Sequence, residues 1–205
     1  MFQATWAIAL AENSPVLVVP WSDEAGRVAY VDLRLQPERM DEILEAREFP
    51  ALGRMLQELN AMGSPWATAK CDRWVLDDED LEAAALDLDF LGDVNFAQAG
   101  VGSYIDFYSR DAALFGSLEH HRVLLVRLTR DASQATDDPA NALLEFTLRR
   151  CIAEDSEGFA ITAFLYAVGR DAVDAEAKWA AALAALTQIL LAAGGEGTAA
   201  AGGVG

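Results

Sequence analysis

The N-terminal segment alternates. Phe2, Ala4, Trp6, Ile8 and Leu10 fall on one side of an extended backbone, a period of two that predicts a half-buried strand. Asn13-Ser14-Pro15 then signals a turn. Residues 16–21 and 27–35 are two β-branched runs separated by residues 22–26, which predicts a hairpin with a five-residue connection. Beyond Pro37 the period changes. Met40, Ile43 and Leu44 make a helical stripe, and proline fits the first turn of that helix. Pro50 cannot occupy a helix interior, so a second helix is predicted from there. It carries Leu52, Met55, Leu56 and Leu59 on one face and stops at Gly63.

Residues 67–76 read as a strand. Asp77 and Asp78 cap a short helix over residues 79–86, where acids favour the positive end of the helix dipole. Residues 92–102 read as a loop, with Gly100 and Gly102 easing a tight approach to a strand over 103–109. Asp111 then caps a long helix to about residue 130, with Leu114, Leu118, His121, Leu125 and Leu128 on one face. Residues 142–153 and 159–168 form a hairpin joined by residues 154–158. A last helix ends at Ala193, with Trp179, Leu183, Leu186 and Leu190 as its stripe. Hairpins outnumber strand–helix–strand units in this order. The expected fold class is α+β: a mostly antiparallel sheet of about six to seven strands with helices packed mainly on one face. A mixed sheet is the alternative. Residues 1–193 make a single domain, and the Gly/Ala-rich residues 194–205 a flexible tail.

Composition fits a folded domain. The chain has 205 residues, 53% of them hydrophobic, and a chain of this size buries about 70% of its surface. The formal charge is −18, from 15 basic and 33 acidic residues. Such a balance speaks against a nucleic-acid backbone and against an anionic membrane surface as partners. Cys71 and Cys151 form no CxxC pair, and the N-terminus lacks the basic start of a signal peptide. The longest apolar run, over residues 179–195, is interrupted by Thr187 and Gln188. A soluble cytoplasmic protein is the expectation. The 13 Arg against 2 Lys, with 39 Ala, suggest a GC-rich bacterial genome.

The charge is uneven. Residues 77–93 hold eight acids and no base: Asp77, Asp78, Glu79, Asp80, Glu82, Asp87, Asp89 and Asp93. That stretch offers a docking surface for a basic protein, since such a field steers association. It has a faint calcium-loop spacing, but Leu91 and Gln98 stand where calcium needs ligands. Cys71 with His120 or His121 has the residue types of a nucleophile pair. Cys71, however, sits in a strand, away from any helix N-terminus that would favour its thiolate. Templates for serine, phosphate-loop and zinc chemistry are absent from the sequence. No catalytic residue, metal or cofactor is therefore assigned.

Two arrangements point to a pocket. Trp66 follows a helix-to-strand turn, and Tyr104, Asp106 and Tyr108 share one face of their strand, opposite Ile105 and Phe107. Arg150, near the end of an apolar row, is expected to pair with a carboxylate or to snorkel to the rim. The functional expectation is a non-enzymatic binding or interaction module, in one version a neutraliser of a basic toxin or enzyme. The alternative is an enzyme or small-ligand binder using the Tyr104/Asp106/Tyr108 face.

Overall fold

The computed structural model describes residues 2–23, 25–88, 97–135 and 142–195. Its strands are β1 (Gln3–Ala9), β2 (Leu17–Val19), β3 (Trp66–Val75), β4 (Ala99–Ser109), β5 (Ala142–Ala153) and β6 (Ser156–Gly169). Its helices are a 3-10 turn over Pro37–Glu42, α1 (Leu44–Glu48), α2 (Pro50–Asn60), α3 (Asp78–Asp87), α4 (Ala112–Phe115), α5 (Leu118–Gln134) and α6 (Ala172–Gly195). Among the described residues the strands form one sheet in the order β1-β5-β6-β4-β3, with β2 following β1 along the same edge of β5. β1 and β2 run parallel to β5, and the other neighbours are antiparallel. This is the expected α+β class, in its mixed form.

One face of the sheet is closed by helices. The helical stripes of the sequence end there: Leu52 and Leu59 of α2, Leu125 and Leu128 of α5, and Trp179, Leu183, Leu186 and Leu190 of α6 are all fully buried. They pack on Ile105, Phe107, Phe146, Leu148 and Ala163, the inward positions of β4, β5 and β6. Two tryptophans within this core find acceptors for their indole N–H groups, as burial requires. Trp179 Nε1 donates to Ser103 Oγ at 2.9 Å, and Trp66 Nε1 donates to the Leu190 carbonyl at 2.8 Å. Residues 172–194 are long and apolar enough to cross a membrane, despite Thr187 and Gln188. In this fold one face of that helix, with Trp179, Leu183, Leu186 and Leu190, is buried in the core.

The structure corrects five local expectations. The hairpin over residues 16–35 is reduced to its tip: Leu17 and Val19 pair with β5, while an antiparallel bridge from Ser22 to Ala29, with the Tyr30 amide donating to the Trp21 carbonyl at 2.9 Å, is what forms of it. The end of the first run and the start of the second cover the β3 edge instead, where Trp21 Nε1 donates to the Ala69 carbonyl at 2.8 Å and the Tyr30 hydroxyl to the Thr68 carbonyl at 3.4 Å. The expected loop over 92–102 ends early, since β4 begins at Ala99. The glycines there make room: a Cβ on Gly102 would lie 2.5 Å from Cε2 of Trp74. The helix capped by Asp111 stops at Phe115, and Ser117 caps α5 afresh by accepting from the His120 amide at 3.2 Å. The connection after β5 is two residues long, Glu154 and Asp155, with φ of 51° and 62°. These left-handed angles belong to a tight hairpin turn, and Arg34 pairs with Glu154 at 2.8 Å. Finally, α6 runs through Gly195, into the stretch assigned to the tail, while residues 196–205 lie outside the described residues.

Candidate functional site

The other face of the sheet is open in its middle. At one end Leu17, Val19, Tyr108, Phe115, Cys151 and Ala160 form a small apolar cluster. At the other end α3 lies on the sheet through Leu81 and Ala84, against Leu76 and Val168. Between them run Trp74, Tyr104, Phe164 and Tyr166, four half-buried aromatics in edge or tilted contact. Among the described residues no helix covers this stretch.

A cavity of about 310 Å³ opens beside the aromatic row. Its floor is Asp106, only 4% exposed. Thr162, the cross-strand partner of Asp106, donates its hydroxyl to Asp106 Oδ1 at 2.5 Å. The second carboxylate oxygen has no hydrogen-bond partner among the described residues. Burial pushes the Asp106 carboxyl above the usual range, and the Thr162 hydroxyl, Arg149 and Lys70 act against that rise. Tyr104 forms a wall, its phenol pushed up to about 12 chiefly by burial. Phe164 forms another, with the Arg149 guanidinium 5.6 Å from its ring centre. Pro15, Val16 and Leu17 make an apolar lip.

The predicted pocket residues divide. Tyr104 and Asp106 line the cavity. Tyr108, one step further along the same face, is buried in the neighbouring apolar cluster against Phe115. Trp66 is on the opposite face, in the helix-covered core. Reading single strands missed Lys70, Arg149, Thr162 and Phe164, because they join the site only through sheet pairing. The signal available for Thr162 and Phe164 was their alternation with Ile161 and Ala163.

The acidic stretch is placed in part. Asp77 caps α3 by accepting from the Asp80 amide at 2.9 Å. Asp78, Asp80, Glu82 and Asp87 are exposed, and none is in an ion pair among the described residues. Asp89, Asp93 and most of the calcium-like spacing lie outside the described residues. Burial pushes the Tyr166 phenol up, and the charges of Glu145 and Asp80 add to it. Asp80 of α3 therefore stands within electrostatic reach of the aromatic row.

The thiol and histidine candidates are not brought together. Cys71 pairs with Ile105 on β4, and burial pushes its thiol up to about 12. His121 packs on Phe159 of β6 with its Nδ1 2.9 Å from the Ser117 carbonyl, and burial pushes its imidazole down. Among the described residues no cluster of three or more His, Cys, Asp or Glu could hold a metal ion. Arg150 finds carbonyls in place of a carboxylate, the nearer being that of Glu12 at 3.2 Å. Neither a family model, nor a curated protein, nor a solved structure matches this chain.

Proposed function

We propose that this chain is a binding protein that works through the open face of its sheet, with a small polar molecule held in the Asp106 cavity. One observation carries this reading. A carboxylate nine-tenths buried keeps one oxygen unpartnered at the floor of a cavity. That oxygen faces the cavity and is not sealed from water, and a ligand donor would replace water there with a charge-assisted hydrogen bond. The volume sits at the lower end of the range for small-ligand sites, roughly 300–1,000 Å³. A reducing, cytoplasmic setting accompanies this reading, supported by two free cysteines.

The test is a thermal-shift screen of small metabolites on the full chain, repeated with Val16→Trp, which plugs the cavity from its exposed lip. Binders raise the melting temperature by mass action. Their effect must vanish in Val16→Trp. A screen without hits, or hits indifferent to the plug, overturns the reading.

A second reading has its own support. Five acids of α3 are exposed and in no ion pair among the described residues, beside an aromatic row, a surface suited to a basic protein. Its affinity would fall steeply with salt, mainly through the association rate.

A further inference from the structure

We propose that the Asp106 cavity takes a zwitterion: Lys70 and Arg149 receive the carboxylate of a free amino acid, and Asp106 receives its ammonium. This inference rests on the cavity reading above and names its ligand class.

The argument begins with the two cations. Several bases form no ion pair among the described residues, but Lys70 and Arg149 are two that line one cavity together, and neither comes within the 4.0 Å ion-pair distance of a carboxylate there. Aromatic rings hold them instead. Lys70 Nζ is 4.9 Å from the Trp21 ring centre, and the Arg149 guanidinium lies over Phe164. Arg149 Nε is buried with no acceptor. The charge of Asp106 feels both cations but closes on neither.

Opposite charges that share a cavity without touching leave space for a molecule that satisfies both. A lone anion would satisfy the cations and leave Asp106 Oδ2 facing like charge. A lone cation would do the reverse. An α-amino acid brings an acceptor group for the cations and a donor group for Asp106. The remaining walls select its side chain: Tyr104, Phe164, Pro15 and Val16 present aromatic and apolar surface, which suits an apolar or aromatic residue.

The experiment is calorimetric titration of the full chain with L-phenylalanine, L-leucine, 3-phenylpropanoate and 2-phenylethylamine. The amino acids should bind, and each one-charge analogue should bind at least ten-fold more weakly. Asp106→Asn should weaken L-phenylalanine at least ten-fold and should not weaken 3-phenylpropanoate, which is relieved of a like charge, while Arg149→Gln should weaken both. Thermal melts of each variant show that it is folded. If 3-phenylpropanoate binds as tightly as L-phenylalanine, the site is a simple anion site and the zwitterion is overturned. If none of the four binds while other compounds do so in a Val16→Trp-sensitive way, the zwitterion falls and the cavity reading stands. If nothing binds at all, both fall.

Discussion

The two faces of β4 make the sharpest contrast in the molecule. Val101, Ser103, Ile105 and Phe107 point to the helices, and each is at most 3% exposed. Their polar member, Ser103, is bonded to Trp179. Gly102, Tyr104, Asp106 and Tyr108 point the other way. There the covering is patchy, a carboxylate is half-satisfied, and two cations rest on rings. One strand thus serves a face where its polar group is matched and a face where several are not. Mismatched groups on an otherwise consistent fold are where function is to be sought.

The contrast predicts unequal costs. Trp179→Ala empties a site sealed on all sides and should cost about 3–5 kcal/mol. Phe164→Ala, on the half-covered face, should cost about 1–2 kcal/mol. Urea denaturation of both variants measures this, and equal losses would erase the distinction between the faces. Next in size is Asn60→Ala. The Asn60 amide donates to Leu56 O at 2.8 Å and Thr68 Oγ1 at 2.7 Å, and its oxygen accepts from the Thr68 amide at 3.1 Å. It anchors β3 just before the register shift between Thr68 and Cys71. Its loss leaves buried groups unpaired and should cost about 1–3 kcal/mol, with amide exchange accelerated first at Thr68 and its neighbours.

Legibility in the sequence follows the same division. The helix-covered face was readable because burial on one side imposes a period: Leu52, Met55, Leu56 and Leu59, and Trp179 through Leu190, are where the pattern put them. Strand β5 matched its predicted limits because its alternation is sustained over twelve residues. The segment 16–35 was misread because β-branched runs indicate strand character but not partner, and β5 offered a free edge. The Glu154-Asp155 turn was hidden because neither residue is the glycine or asparagine that normally marks left-handed angles. The site was half legible. Tyr104 and Asp106 declared themselves within one strand. Arg149, Lys70 and Thr162 come from three others, and their meeting depends on strand order, which no local pattern encodes.

Asp106 also makes the open face sensitive to pH. Burial raises its carboxyl, so the folded chain holds this proton to higher pH than the unfolded chain does. Stability is then lost as pH rises from the ordinary carboxylate value, about 3.9, through the raised one. Asp106→Asn removes that loss and keeps an acceptor for Thr162. The variant should melt higher than the parent at pH 7, and the gain should fade as pH falls through the acidic range. A gain equal at pH 4 and pH 7 would mean that Asp106 is not held against its burial.

The smallest effect on stability should come from α3, and there the comparison turns from energy to rate. Asp78→Asn, Asp80→Asn and Asp87→Asn together change exposed groups outside any ion pair among the described residues, so stability should move by no more than about 0.5 kcal/mol per site. Association with a basic probe, a decalysine peptide at low salt, should slow. The control removes three exposed acids elsewhere, Glu38, Asp41 and Glu48. Both variants have the same net charge. If the charge acts as a field of the whole molecule, the two slow association equally. If α3 is the docking surface, its variant slows association more, because the probe loses charges beside Trp74 and Tyr166 where it would come to rest. Equal rates would leave the α3 surface with no claim on a basic partner.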